Sequence, residues 1–279
     1  DLLASFVVFL VALPLCMGIA IASGMPPAAG LVTGIIGGIL VGFIGGSPLQ
    51  VSGPAAGLAV IVFEIVREFG VDRLAPVLVL AGLIQIVAGL MGWGSWFRAI
   101  SPPVVYGMLA GIGILIFGSQ FHVMIDDKPR GTGIANLLSI PESIAKAFLP
   151  LDQHSYAAMI GLITIAGLLI WPLVRPKKLK FLPGVLIGAM AGTGLAQVFG
   201  LQVHYVDIPH NLFEALKMPT ADGLMAAFRE KSTYMEALAL AVVASAETML
   251  SAVAVDRMHP GPRAKFDREL AAQGLGNSI

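Results

Sequence analysis

Charge is what this sequence has least of. Asp, Glu, Lys and Arg together make up 12% of the 279 residues, against 57% hydrophobic residues. So few charges cannot solvate a globular surface of this size, which leaves an all-α polytopic membrane protein with the lipid bilayer as its first partner. The formal net charge is zero, so there is no electrostatic footprint for nucleic acid. Cys16 is the only cysteine, which excludes an intrachain disulfide and a thiolate metal cluster. His122, His154, His204, His210 and His259 are scattered without ligand spacing, so neither a metal nor a cofactor is expected. HExxH, a nucleophile elbow and paired carboxylates on one helix face are all missing, so the chain reads as a non-enzyme. Asp1 is the only charge ahead of the first apolar run, and no removed signal peptide is expected.

Glycine, by contrast, is abundant. It supplies 33 residues, roughly 12% against an average near 7%, and it falls within the apolar segments as well as between them. Close helix packing follows, most clearly in Ala28 to Ile44, where Gly30, Gly34, Gly37, Gly38 and Gly42 make a small-residue face. Eight apolar segments are legible. Leu2 to Ala22 is long enough to span, and Pro14 predicts a kink or unwinding near its middle. Ala28 to Ile44, Leu74 to Met91, Pro102 to Gln120, Tyr156 to Val174, Phe181 to Phe199 and Tyr234 to Val255 are further spans, with Trp93, Trp96 and Tyr106 as boundary anchors. Asp126 to Gln153 reads as a polar connection carrying a short amphipathic helix from Pro141 to Phe148, and Gln202 to Thr233 as a second polar connection.

The remaining segment is unusual. In GGSPLQVSGPAAGLAVIVFEIVREF, Gly45 to Phe69, a chain break made by Gly45, Gly46, Pro48, Gly53 and Pro54 precedes an apolar run from Ala55 to Phe69. That run gives about 22 Å of helix at ~1.5 Å per residue, against a hydrocarbon core of roughly 30 Å. It is a half-span, with Pro54 placed as a first-turn residue. Non-helical backbone at that depth requires a protein-lined or watery cavity. The amides of Ala55, Ala56 and Gly57 would face it with the positive end of the helix dipole behind them, which makes an anion site. The other reading of the same residues is a tight turn between two ordinary helices.

Two carboxylates lie within apolar segments, and an ionisable group there is a functional candidate by its cost alone. Glu247 sits in ALALAVVASAETMLSAVAV with Ser251 one turn later on the same face and Ser245 and Thr248 as nearby hydrogen-bonding groups. It is placed to exchange a proton during transport or, with hydroxyls and carbonyls, to hold Na⁺; the alternative is a pairing that only locks helix packing. Glu64, one turn before Arg67 and Glu68, is the lesser candidate, explained equally by a vestibule or a local ion pair. Arg98, the run Arg175, Lys177, Lys178, Lys180, and the tail Arg257, Arg263, Lys265, Arg268 crowd short loops on the side of the N-terminus, which makes that side cytoplasmic.

Taken in order, four stretches resemble the sulfate permease family of anion transporters: LPLCMGIAIASGMPPAAGL from Leu13 to Leu31, GGSPLQVSGPAAGLAV from Gly45 to Val60, the acidic segment around Glu247 ending at Asp256, and FDRELAAQGLGN from Phe266 to Asn277. The resemblance covers essentially the whole chain. It implies a 7+7 inverted-repeat fold of the uracil-permease kind, with a core domain moving against a gate domain. Of this fold, residues 1–279 would hold the first repeat and the eighth helix, as part of a longer transporter whose remaining second repeat and cytoplasmic STAS domain lie outside the sequence. It further implies an anion cradle at Pro54, Ala55, Ala56 and Gly57, a first-helix wall at Leu15 and Ile19, and coupling at Glu247 with Ser251. Leu15 stands where many relatives carry Gln, and Ala55 lacks the hydroxyl some relatives place there, so side-chain recognition of the anion is thin. The expected activity is secondary active transport of a small inorganic or carboxylate anion, bicarbonate, sulfate or a dicarboxylate, by alternating access coupled to H⁺ or Na⁺. The resemblance also implies a homodimer for the full-length protein and a bacterial inner membrane. An uncoupled anion channel and a non-transporting scaffold are the competing expectations.

Overall fold

The computed structural model of the chain describes residues 2–99, 101–130, 133–148, 152–206 and 220–279. What the sequence suggests for Asp1, for His210 and for the middle of the second polar connection lies outside these. Among the described residues the regular elements are helical and none is a strand. In chain order the α-helices are α1 Leu2–Ala22, α2 Pro27–Ile36, α3 Gly42–Ile44, α4 Ala59–Phe69, α5 Val71–Leu90, α6 Pro102–Met124, α7 Gly133–Leu138, α8 Ile140–Phe148, α9 Gln153–Val174, α10 Gly184–Val198, α11 Ala221–Phe228, α12 Lys231–Met258 and α13 Phe266–Ser278. A π-turn, Gly37–Val41, joins α2 to α3, so that Pro27–Ile44 forms one apolar span. Ala4–Ala22, Val71–Leu90, Gln153–Val174 and Lys231–Asp256 are also long and apolar enough to cross a membrane.

Two compact units divide the chain, one made of residues 1–18 and 114–208, the other of residues 19–113 and 209–279. In the first, α9 and α10 pack along a glycine seam. A Cβ on Gly184 would stand 2.8 Å from the Leu168 carbonyl oxygen, and one on Gly167 2.8 Å from the Gly188 Cα. Helix backbones this close exchange dispersion contacts that larger residues would forbid. The expected small face from Ala28 to Ile44 is realised only in part: a Cβ on Gly37 would lie 2.7 Å from the Ser52 carbonyl oxygen, whereas Gly38 and Gly42 face open space. Of the two expectations for α1, unwinding does not occur. The helix is continuous through Pro14, since a missing N–H removes one ladder bond and the flanking turns hold the rest.

The polar end of the first unit is organised around Asp126, Asp127 and His122. The turn after α6 puts Asp126 at φ 59°, a conformation Asp tolerates better than most residues. Its Oδ2 accepts from Gln153 Nε2 and from His204 Nδ1 at 2.7 Å. Fully buried His122 meets Ser143 Oγ through Nδ1 at 2.8 Å, and through Nε2 it meets the Asn136 carbonyl at 3.1 Å and Ser139 Oγ at 3.0 Å. Asp127 Oδ2 lies 3.1 Å from Lys146 Nζ and 3.7 Å from Arg130 Nη2. Partial burial pushes the Asp127 carboxyl up, but hydrogen bonds from the Lys146 ammonium and the Lys128 amide, with the charges of Lys146 and Arg130, hold it below its ordinary value.

The second unit is built on α5. Leu74, Val77 and Ala81 of α5 pack with Leu58 and Ile65 of the short third segment and with Ala237, Leu240, Ala241 and Ala244 of α12. Gly70, at φ 84°, lets the chain reverse directly from α4 into α5. Arg73, only 8% exposed, ties the ends of α5 and α12 through Glu230 Oε2 at 2.7 Å and Glu236 Oε2 at 3.6 Å. The other face of α5 carries α13, which the sequence reading leaves without secondary structure. Here the backbones touch, for a Cβ on Gly89 would lie 2.7 Å from the Ala271 amide and one on Gly274 2.7 Å from the Ile86 amide.

Two expected outcomes follow. Gly274→Leu should lower stability by about 1–3 kcal/mol through overpacking, read as a fall in the melting midpoint of the detergent-purified protein. For Asp127, whose folded value is depressed, the contribution is complete above the ordinary carboxylate value near pH 4 and is lost as pH falls through the folded one. Asp127→Asn should therefore cost about 1 kcal/mol or less at pH 7, given its half-exposed partners. The gap from the parent protein should close towards pH 3 in the same melting assay.

Candidate functional site

The break before the short third segment is placed by an unusual helix start. Ala55 is extended, at φ −93° and ψ 120°, Ala56–Leu58 form a 3₁₀ turn closed by the Leu58 amide on the Ala55 carbonyl at 3.2 Å, and α4 continues from Ala59. Pro54 is thus outside the helix rather than in its first turn. The reason is geometric: a helix begun at Pro54 would commit the Gly57 amide to the Gly53 carbonyl, whereas the later start leaves Gly57 among the orphan donors of a helix N-terminus.

That amide meets Glu247. Gly57 N–H donates to Glu247 Oε1 at 3.3 Å, and the second oxygen, Oε2, is buried with no hydrogen-bond partner among the described residues. The half-helix and the intramembrane carboxylate, separated by 190 residues in sequence, are therefore one site. The absent side chain of Gly57 is what makes room, because a Cβ there would lie 2.8 Å from the Glu247 carboxyl carbon and 3.0 Å from Oε1. A carboxylate resting on the positive end of a helix is electrostatically favoured, and here it stands where an incoming anion would find its first backbone donor.

Other members of the expected site are distributed unevenly. Ile19 is buried in the same unit as the half-helix, while Leu15, in the other unit, is 54% exposed. Ser251 is exposed on α12. Ser245 does not serve Glu247, since its Oγ donates to the Ala241 carbonyl and accepts from Gln85 Nε2 at 3.1 Å; the backbone carbonyl of Thr248 accepts from Gln50 Nε2 at 3.4 Å. The cause is helix phase, for Ser245 faces α5 and satisfies the fully buried Gln85 there. Glu64 is exposed and forms no ion pair with Arg67 among the described residues, so the ion-pair explanation for it falls away.

Sequence reasoning missed Glu269 and Gln85. Glu269, 2% exposed, accepts the Gly46 amide at 2.6 Å and the Ser47 amide at 2.9 Å through Oε2, pinning the chain break to α13. Gln85 links Asn277 Nδ2, at 2.7 Å from its Oε1, to Ser245 on α12. The available signal was a polar residue in the middle of the apolar α5 run, which in a membrane segment demands a partner.

A profile of the sulfate permease family matches residues 1–279. The chain belongs to the sulfate permease family. A candidate sulfate transporter of Bacillus subtilis, YvdB, is 32% identical over 99% of this chain and 51% of its own length. The bicarbonate transporter BicA of a Picosynechococcus strain is 24% identical over 99% of this chain and 49% of its own. The transmembrane domain of a cyanobacterial BicA superposes with a TM-score of 0.72 at 25% identity, covering 96% of this chain and 68% of that one. The chain thus spans about half the length of the curated relatives it matches, and its helical arrangement is the sulfate permease fold.

The Gly57–Glu247 contact sets the test. Gly57→Ala should destabilise by about 1–3 kcal/mol. Glu247→Ala in the same chain should recover most of that loss, since the overlapping carboxylate is gone. A double-mutant cycle of melting midpoints with no coupling between the two positions would contradict this geometry.

Proposed function

We propose that this chain supplies the half-helix and the carboxylate of a secondary active transporter for small anions of the bicarbonate, sulfate or dicarboxylate kind, coupled to H⁺ or Na⁺ and working by alternating access. The observation that carries the reading is the carboxylate of Glu247 resting on the Gly57 amide with its other oxygen unpartnered. A charged Glu247 repels an anion arriving at the same helix start. Two unit charges about 4 Å apart interact by roughly 4 kcal/mol at an effective dielectric constant of 20. Neutralising the carboxylate with a proton, or screening it with Na⁺ held partly by Oε2, removes that repulsion and frees the amide. Anion and cation then favour each other's binding, which is the thermodynamic content of symport.

Family membership and the names of the relatives, which include sulfate and bicarbonate transporters, support an anion as the cargo. The site itself offers backbone and small side chains, so recognition rests on charge and size. In this reading the N-terminus is cytoplasmic, the membrane is a bacterial plasma membrane and the working protein is a homodimer.

The test is uptake of labelled bicarbonate, sulfate and fumarate into proteoliposomes of the natural full-length protein under imposed pH or Na⁺ gradients. Gradient-driven uptake of one anion, reduced at least tenfold by Glu247→Gln, is the expected result. Flux that follows the electrochemical gradient alone, at currents beyond carrier turnover, would make the protein a channel. No uptake by folded protein would make it a scaffold.

A further inference from the structure

Within the second unit, a cavity of about 270 Å³ lies where the chain break meets the start of α13. Gly46, Ser47 and Gln50 line one side and Arg263, Lys265 and Arg268 the other, and no Asp or Glu is on its wall. The three cations are held in different ways. Arg268 Nε donates to the Ile44 carbonyl at 2.8 Å, which leaves both terminal nitrogens of the guanidinium without a protein partner among the described residues. Arg263 is anchored by the Asp256 carbonyl. Lys265 makes no side-chain hydrogen bond among the described residues, while its amide donates to the Gly46 carbonyl at 2.9 Å, so the two walls are stitched together beneath it.

Two carboxylates approach these walls, and backbone amides occupy both: Asp256 accepts from the Ala264 amide at 3.0 and 3.1 Å. Glu269 Oε2 is spent on the Gly46 and Ser47 amides at 2.6 and 2.9 Å. Ser47 Oγ, by contrast, is buried and has no partner among the described residues. Three positive charges, one hydroxyl left over and no negative lining form a donor set for a multiply charged tetrahedral oxoanion. Arginine guanidinium groups match that geometry with paired N–H donors.

We propose that this cavity is a binding site for a phosphate group, distinct from the Gly57–Glu247 site and independent of what the protein transports. Two sources carry the same chemistry, the headgroup of an anionic phospholipid and free phosphate. An occupant would hold the chain break against α13. Because Gln50 also donates to the Thr248 carbonyl beside Glu247 at 3.4 Å, occupancy would bear on the position of the half-helix site.

The experiment uses the natural full-length protein and an Arg263→Gln/Lys265→Gln variant, with Lys265→Arg as the conservative control. Melting midpoints are compared in inorganic phosphate and in chloride at equal ionic strength. Retained lipid is counted by native mass spectrometry after reconstitution in phosphatidylglycerol or in phosphatidylcholine alone. A rise of several degrees in phosphate, or retention of phosphatidylglycerol over phosphatidylcholine, that falls at least tenfold in apparent affinity in the double variant and survives in Lys265→Arg supports the site. Phosphate alone active assigns a soluble ligand, and phosphatidylglycerol alone active assigns a lipid. Equal stabilisation by chloride, binding unchanged in the double variant, or neither probe bound by folded parent protein overturns it. Should the double variant not fold, Ser47→Ala in the same two assays decides, with weakened binding expected.

Discussion

A helix that starts just after a chain break has amides with no partner inside the helix, and the second unit is arranged around that constraint. Water would satisfy them at a protein surface; in hydrocarbon only the protein can. The chain meets the demand twice with carboxylates drawn from its distant C-terminal part. Glu269 takes the amides of Gly46 and Ser47, and Glu247 takes that of Gly57. The first is complete, one oxygen shared by two donors at short range. The second is not, since one contact is long and the other oxygen has no partner among the described residues. One end of the break is thus fully satisfied, and the other, at Gly57, is held by the weaker contact.

The same constraint explains why α13 belongs to the core. Its composition is polar, and by apolar periodicity it is no part of a membrane core at all. Yet Glu269, Leu270, Ala272 and Gly274 are buried in it, and two of its polar side chains find fixed partners in the core: Glu269 on the chain break and Asn277 on Gln85. Glycines on both helices allow the approach. Gly89 and Gly274 bring the two backbones so near that the hydrogen bonds are made without long side chains spanning a gap.

Much of this was legible in the sequence and some was not, for reasons that differ by element. The span limits agree to within a few residues, because twenty apolar residues between punctuation leave little freedom. The half-span and Glu247 were visible separately, one as a length deficit and the other as a charge out of place. Their meeting was not derivable from either, since it joins positions 190 residues apart; only the family resemblance put them together. Ser245, a possible partner of Glu247 by its place in the sequence, serves another group because nearness on a helix does not fix which face a hydroxyl takes, and Ser245 faces Gln85. α13 escaped because a polar helix lacks the apolar stripe that marks amphipathic helices elsewhere, and α11, at 8 residues inside a polar connection, is too short to show a period.

Glycine at position 57 closes the argument on function. A side chain there would fill the space the Glu247 carboxylate occupies, and Ala55 and Ala56 add no polar group of their own. In the proposed reading such a site would hold its anion with the backbone. It would select for negative charge and small size rather than for a pattern of donors and acceptors, because the positive end of a helix presents the same face to a carboxylate, a bicarbonate or a sulfate. The discriminating power that remains lies in electrostatics. In the proposed reading, that means the charge on Glu247, which meets the Gly57 amide at the start of the half-helix.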